Sequence, residues 1–382
     1  MKIAMLGHKR IPSREGGVEI VVEELAVRMA QMGHQVTVYN RSGHNVTGKE
    51  NDNFTYKKKF IYKGVTVKTI HTSQMRNLNA ILYALFATIR AGFSDCEVVH
   101  FHAEGSCAMI PLAKLFGKKC VATIHGLDWQ RAKWSGFATK FLLLGEKMAV
   151  RYADTVIVLS QNVSDYFKTT YGRETVFIPN GIEQPIFWPP CVIKEQFGLE
   201  KDGYILFLAR IVPEKGLHYL IEAYKKSGLT QKLVIAGGNS HSFEYEQSID
   251  RMVEGNDSII RTGFVQGRLL EELYSNCLFY VLPSEVEGMP ISLLEAMSYG
   301  ALTLVSDIPE NLDVTGNNAM SFHSTDVTDL TEKLKETAAI AQNSNREERF
   351  RKENISQHVL TKFHWDDVVK RTLNCYENII CK

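Results

Sequence analysis

Two glutamates eight residues apart, Glu287 and Glu295, stand in the stretch Pro283-Ser284-Glu285-Val286-Glu287-Gly288-Met289-Pro290-Ile291-Ser292-Leu293-Leu294-Glu295-Ala296-Met297-Ser298-Tyr299-Gly300. The stretch reads as a strand end, a turn and a helix. Glu287 then lies where the first N–H groups of a helix are unpaired, and Glu295 one to two turns inside. An ionised carboxylate accepts two hydrogen bonds from vicinal hydroxyls, which suits the diol of a ribose or hexose. The plainer alternative is a first-turn glutamate favoured by the helix dipole and an unrelated surface one. A second cluster, Leu208-Ala209-Arg210-Ile211-Val212-Pro213-Glu214-Lys215-Gly216-Leu217, is again strand, loop and helix start, with Arg210 and Lys215 bracketing the loop. Two preorganised cations in one loop suit an anionic group such as a phosphate. An isolated Arg and Lys are otherwise ordinary surface residues.

Between the first strand and the first helix lies Gly7-His8-Lys9-Arg10-Ile11-Pro12-Ser13-Arg14-Glu15-Gly16-Gly17-Val18-Glu19. The paired Gly16 and Gly17 let backbone amides approach an anion at a helix N-terminus; the alternative is a flexible loop. This is not the G-x-G-x-x-G fingerprint, and Asn40-Arg41 stands where a dinucleotide site has an acidic residue, so a nicotinamide enzyme is disfavoured. His125 closes another predicted strand, where it faces a ligand rather than the core. After it, Trp129, Arg131, Lys133 and Trp134 mix aromatic faces with cations, suited to a sugar ring and an acceptor phosphate. A helix cap with core tryptophans explains that run nearly as well. His100 and His102 look metal-like, but are expected on opposite faces of their strand, and no metal is assigned.

These clusters need elements to hold them. Short β-branched or aromatic runs alternate with helical patterns almost end to end, the signature of α/β architecture with parallel sheets. Strands are predicted at Lys2–Leu6, Gln35–Tyr39, Glu97–Phe101, Val121–Ile124, Thr155–Leu159 and Thr175–Ile178, with helices at Val18–Met32 and Gly136–Tyr152 among them. Lys57, Lys58, Lys59 and Lys63 fall in a predicted hairpin, as a solvated edge or an anionic-membrane contact. Turn formers from Pro179 through Pro190 make a linker, after which strands resume at Tyr204–Ala209, Lys232–Ala236, Ile259–Thr262, Phe279–Leu282 and Leu302–Val305. Two doubly wound, Rossmann-like domains are therefore expected, at residues 1–185 and 195–364. Their ligand belongs outside the carboxyl ends of the strands, in a cleft between facing domains.

With 382 residues, the chain is long enough for two such cores. Forty-four basic against forty-three acidic side chains leave no field that would draw the molecule to nucleic acid. Seven scattered cysteines without a CxxC argue against a disulfide framework or structural zinc. No apolar run approaches a membrane span, so the expectation is a cytoplasmic enzyme, at most peripheral to the inner membrane face.

The 283–300 stretch resembles the glutamate, seven residues, glutamate motif of the retaining family 4 glycosyltransferases, from its Glu-Gly start to its Leu-Glu-Ala-Met-x-x-Gly end. The resemblance implies the two-domain GT-B fold, with Glu295 on the ribose of a nucleoside diphosphate sugar and Glu287 on the transferred sugar. The backbone of Gly288, Met289 and Pro290 would lie nearby, although Pro290 offers no N–H. Arg210 and Lys215 match the family's R-x-x-x-x-K-G element and would bind pyrophosphate, with Gly16 and Gly17 beside the donor phosphates and acceptor. His125-Gly126 is similar to the family's element near the sugar. The Trp129–Trp134 run resembles a bacterial subset linked to rhamnosyl transfer in surface polysaccharide assembly, and a last helix from about Trp365 to Asn378 would cross back onto the N-terminal domain. Ser306-Asp307-Ile308-Pro309-Glu310-Asn311 departs from the family's glycine-rich turn. The activity expected is retaining, metal-independent transfer of a hexosyl or deoxyhexosyl group to a glycan or lipid-linked glycan, with no cofactor. A sugar-nucleotide epimerase of similar fold and a non-catalytic sugar-nucleotide scaffold are the alternatives.

Overall fold

The computed structural model describes residues 1–42, 58–72, 78–130, 136–238, 243–343 and 346–381, without the side chains of 346–351. The chain divides into two compact units, Met1–Gly181 with Trp365–Lys382, and Ile182–His364. The sequence reading ends the first domain at residue 185 and begins the second at 195, with a linker between; the two units meet at Gly181–Ile182.

In the first unit the strands are β1 (Lys2–Leu6), β2 (Gln35–Arg41), β3 (Lys59–Tyr62), β4 (Val65–Ile70), β5 (Val98–His102), β6 (Lys119–Ile124), β7 (Thr155–Val158) and β8 (Val176–Phe177). They form one sheet in the order β3-β4-β2-β1-β5-β6-β7-β8. All pairings are parallel except the β3–β4 hairpin. Every residue of β5 is buried, as a central strand covered on both faces demands. The second unit carries β9 (Tyr204–Leu208), β10 (Lys232–Ala236), β11 (Ile259–Gly263), β12 (Phe279–Leu282), β13 (Leu302–Ser306) and β14 (Met320–Phe322). Its sheet is parallel throughout, in the order β11-β10-β9-β12-β13-β14. The strand predicted at Thr175–Ile178 is the two-residue β8, whereas β14 escapes periodicity arguments because three residues carry too little pattern.

The last helix, Trp365–Ile380, belongs to the first unit. Its buried residues Trp365, Val368, Val369, Thr372, Leu373, Cys375, Tyr376 and Ile379 recur at the three-to-four spacing of one helix face. Gly181 lies flush on it: a Cβ there would sit 2.4 Å from the Trp365 ring. Among the described residues, no helix is long and apolar enough to cross a membrane.

In the second unit a buried glutamate ties the entering segment down. Glu272 accepts backbone hydrogen bonds from Cys191, Val192 and Ile193 (3.0, 2.6 and 3.1 Å) and one from Arg268 Nε (2.8 Å). These N–H groups stand at the start of the helix Val192–Phe197, where no helical carbonyl is available to them; that of Cys191 also donates to the Pro189 carbonyl at 2.9 Å. Against the cost of burial, Arg268 and these N–H groups hold the Glu272 carboxyl below its usual range. Glu272→Ala strands the Val192 and Ile193 donors and is expected to lower stability by about 1.5–3 kcal/mol. The measurement is the denaturant midpoint at unchanged slope; an unshifted midpoint would show that the cap contributes nothing.

Candidate functional site

In each unit, two loops leave neighbouring parallel strands whose chains then wind in opposite directions, the place where open α/β sheets leave a crevice. In the second unit those strands are β9 and β12. The loop after β9 carries Arg210, partly buried, and Lys215; the loop after β12 carries Glu287. The loops touch through backbone: the Glu285 N–H donates to the Glu214 carbonyl at 2.9 Å. Gly216, at φ +65°, lies so close that a Cβ would sit 2.0 Å from the Pro283 carbonyl oxygen.

On that contact rests an ion pair between Lys215 Nζ and Glu287 Oε1, whose side chains are only 15% and 6% exposed. Ser284 Oγ donates to the same carboxylate oxygen at 2.7 Å. A lysine and a carboxylate so nearly dry each depend on the other for neutralisation. The pair is therefore preset before any ligand arrives.

Glu295 sits in the second turn of the helix Ile291–Ser298, with Pro290 as its extended N-cap. Tyr274 OH donates to Glu295 Oε2 at 3.0 Å, so this carboxylate too is aimed in advance. Gly288, Met289 and Pro290 are buried beside it. The Ser306–Asn311 segment proves to be a clamp. Ser306 Oγ donates to the Ser284 carbonyl at 2.5 Å, and Asn311 Nδ2 donates to Ser306 O at 3.2 Å and Oγ at 3.0 Å. Ser284, Tyr274 and Ser306 escaped the sequence reading, since nothing in the spacing marks a hydroxyl as the partner of a distant carboxylate or carbonyl.

The first unit repeats the arrangement at β1 and β5. Gly7, at φ +110°, approaches so closely that a Cβ would lie 2.0 Å from the His102 carbonyl oxygen. The following loop is tied by Asn40, whose Oδ1 accepts from the Ile11 N–H (3.0 Å) and bonds His8 Nε2 (3.1 Å) while its Nδ2 donates to Ile11 O (2.8 Å). Asn40, read only as a missing acidic residue, is thus a loop anchor. Gly16 caps the helix Gly17–Gln31, and a Cβ there would lie 2.1 Å from Glu19 Oε2.

His125 follows β6 and is buried, its Nε2 3.1 Å from His102 Nδ1. One of the two must donate and the other accept. Burial pushes His100 down to about 3 and His8 to about 4, and pushes His102 well below the ordinary value. These three rings are neutral at pH 7.

The structure corrects one expectation. His100 and His102 lie on the same face of β5, ring centroids 4.1 Å apart, because residues two apart in a strand share a face. Their proximity makes no metal site: His100 spends both nitrogens, on Tyr376 OH (2.6 Å) and Thr123 Oγ1 (2.7 Å). Among the described residues no group of three or more His, Cys, Asp or Glu side chains could hold a metal ion. Trp129 is half-buried against the core, its indole N–H donating to Glu146 Oε2 at 3.2 Å and its ring beside Tyr166. Arg131, Lys133 and Trp134 lie outside the described residues. The sequence-predicted residues are thus divided between the units, Arg210, Lys215, Glu287–Pro290 and Glu295 in one, Gly16, Gly17, His125 and Trp129 in the other, and a direct contact joins Lys215 to Glu287.

Two parallel-sheet α/β units, each with its site at a point of reversed winding, define the GT-B fold. The solved structure of sucrose-phosphate synthase from Thermosynechococcus elongatus superposes with a TM-score of 0.83 at 18% identity, covering 100% of this chain and 99% of that one. Anabaena HepE in complex with UDP and glucose gives 0.77 at 16% identity, covering 99% and 100%. Residues 15–184 match Glycosyltransferase Family 4 and residues 192–357 match Glycosyl transferases group 1. An uncharacterized glycosyltransferase of Methanocaldococcus jannaschii is 26% identical over 99% of this chain and 98% of its own. The chain is a glycosyltransferase of GT-B fold.

Gly216→Ala drives a methyl into the Pro283 carbonyl under the ion pair and is expected to cost about 1–3 kcal/mol. Chemical denaturation measures it. A neutral substitution would show that the two loops can part without consequence.

Proposed function

We propose that the protein transfers a hexosyl or deoxyhexosyl group from a nucleoside diphosphate sugar to a hydroxyl of a glycan or lipid-linked glycan, with retention of configuration, in surface polysaccharide synthesis. The observation that carries this reading is the preset frame of Lys215, Glu287 and Glu295 on interlocked loops, with Arg210 in the loop after β9. Glu295 takes the ribose diol, Arg210 and Lys215 the diphosphate, and Glu287 with the Gly288–Pro290 backbone the sugar. HepE, of the same fold, has been solved with UDP and glucose bound, which supports a nucleotide sugar as donor.

The reaction proceeds on one face of the sugar. The bond from C1 to the diphosphate oxygen breaks as the acceptor oxygen bonds C1 on the same face, and the acceptor proton passes to the leaving phosphate. Charge grows on the diphosphate, where Arg210 and Lys215 meet it without a metal. His125, at the end of its strand, serves the sugar side. The rhamnosyl-transfer subset named by the Trp129–Trp134 run favours a deoxyhexose among the sugars.

A thermal-shift screen against UDP-, GDP-, dTDP- and ADP-sugars tests the donor: one base is expected to raise the melting point, and Glu295→Ala to abolish the rise. Arg210→Ala and Lys215→Ala should each lower turnover about 10²–10³-fold; undiminished turnover would sink the mechanism. Donor isomerised without acceptor would instead mark an epimerase, and binding without turnover a scaffold.

A lipid-linked acceptor implies peripheral contact with the inner membrane face, and one surface of the first unit supports it. Lys59 and Lys68 pair directly across β3 and β4, and with Lys58, Ile89, Arg90 and the exposed Phe93 they line one open hollow. Like charges set opposite each other destabilise a hairpin unless an anion offsets them. Lys59→Ala and Lys68→Ala should each weaken sedimentation with phosphatidylglycerol vesicles by roughly fivefold. Equal binding to neutral phosphatidylcholine vesicles would dispose of the contact.

A further inference from the structure

Beneath the segment that follows His125 lie two buried acids that the transfer reaction does not use. Glu104 opens the short helix after β5, and Glu146 lies on the helix Phe137–Tyr152; both are fully buried. The two helices touch so closely that a Cβ on Gly145 would lie 1.9 Å from the Glu104 carbonyl oxygen. Glu146 accepts three hydrogen bonds: Tyr166 OH (2.9 Å) and Tyr171 OH on Oε1, Trp129 Nε1 (3.2 Å) on Oε2. Glu104 Oε2 accepts the Asp128 N–H at 3.1 Å, but its buried Oε1 has no donor. That carboxyl lies within hydrogen-bond reach of Glu146, itself an acceptor.

Two acceptors in contact, away from water, need a proton between them. We infer that Glu104 is held as a carboxylic acid donating to Glu146, and that this carboxyl pair is the positioning element of the segment Asp128–Gln130 and, through it, of the chain beside His125. Among the described residues, the titratable groups that act on Glu104 electrostatically include Asp128, Glu146, Cys107 and Tyr171, none of them cationic. Burial, then Asp128 and Glu146, push Glu104 up to about 10. Each acid holds one donor of the short helical turn Asp128–Gln130, the Asp128 N–H and the Trp129 indole N–H. Loss of the proton sets two carboxylates against each other in a dry pocket, and the turn loses its seat.

Stability alone does not account for the pair. With Glu104 raised from its ordinary value to about 10, folding at neutral pH must take up a proton. Its contribution is full below the unfolded value and declines as pH rises towards the folded one. An apolar pair of the same volume would avoid that cost. What the acids supply is two directed acceptors at fixed places.

The carboxyl pair stands independently of the proposed reaction; only its service to transfer rests on that reading. Glu104→Gln separates the possibilities, because its amide donates to Glu146 and accepts from the Asp128 N–H at every pH. The wild-type protein at pH 7 to 8 should show the infrared carbonyl band of a protonated carboxylic acid, absent in Glu104→Gln. Its melting point should fall relative to Glu104→Gln as pH rises from about 5 to 10. Near-ultraviolet circular dichroism, referenced to Trp129→Phe, should survive in Glu104→Gln and be lost in Glu104→Ala. Release of nucleoside diphosphate from the donor selected by the thermal screen should lose its alkaline limb in Glu104→Gln and fall about 10²-fold in Glu104→Ala, the scale of a 1 Å misplacement. Glu104→Gln should keep the melting-point rise given by that donor, whose nucleotide is proposed to bind Glu295, Arg210 and Lys215 of the other unit, so a failed donor site registers separately. No protonated-acid band in the wild type, or a band that persists in Glu104→Gln, overturns the inference, as does a Glu104→Gln variant that loses the Trp129 signal.

Discussion

Everything at the two sites depends on one geometric constraint: neighbouring parallel strands whose chains wind away in opposite directions leave their outgoing loops side by side with no helix between them. β9 and β12 do this in one unit, β1 and β5 in the other. The loops then approach until backbone meets backbone, and glycine is required at the contact. Gly216 against the Pro283 carbonyl and Gly7 against the His102 carbonyl are the same solution reached twice. Both stand at positive φ, where a side chain would be strained even with room for it.

On that base the polar groups are arranged in advance of any ligand. Lys215 and Glu287 neutralise each other, Ser284 shares the carboxylate, Tyr274 orients Glu295, and Ser306 with Asn311 fixes the carbonyl beneath. A site whose charged groups are already held loses little in reorganisation when substrate charge develops. The first unit uses a different economy of charge. Its central histidines are kept neutral by burial, and its acids are brought together so that one of them keeps a proton. One unit therefore offers ordered ionic groups and the other neutral, directional hydrogen-bonding groups, a division suited to handling a charged nucleotide and an uncharged sugar hydroxyl.

The last helix shows how the units are tied in sequence rather than in chemistry. Its apolar face packs on the first unit, and Tyr376 reaches His100 across 276 positions of chain. The buried histidine of β5 thus finds a partner that no local pattern could supply.

Sequence alone determined the α/β class, the two domains and most of the strands, because buried parallel strands are apolar runs and helices carry their own period. It also singled out Arg210, Lys215, Glu287, Glu295 and the glycine pair, whose types in loops after strand ends suit a ligand, with ordinary surface residues and a flexible loop as the plainer alternatives. Only the tertiary structure decided what each touches. That His100 and His102 share a face follows from strand geometry, but that Tyr376 and Thr123 occupy His100 does not. That Trp129 turns its N–H inward to Glu146, and that Glu104 meets Glu146, depends on two helices being pressed together where Gly145 meets Glu104, about forty positions away in the chain. Periodicity reports which face of an element is buried; the partner of a buried polar atom is set by long-range packing, which leaves no period in the chain.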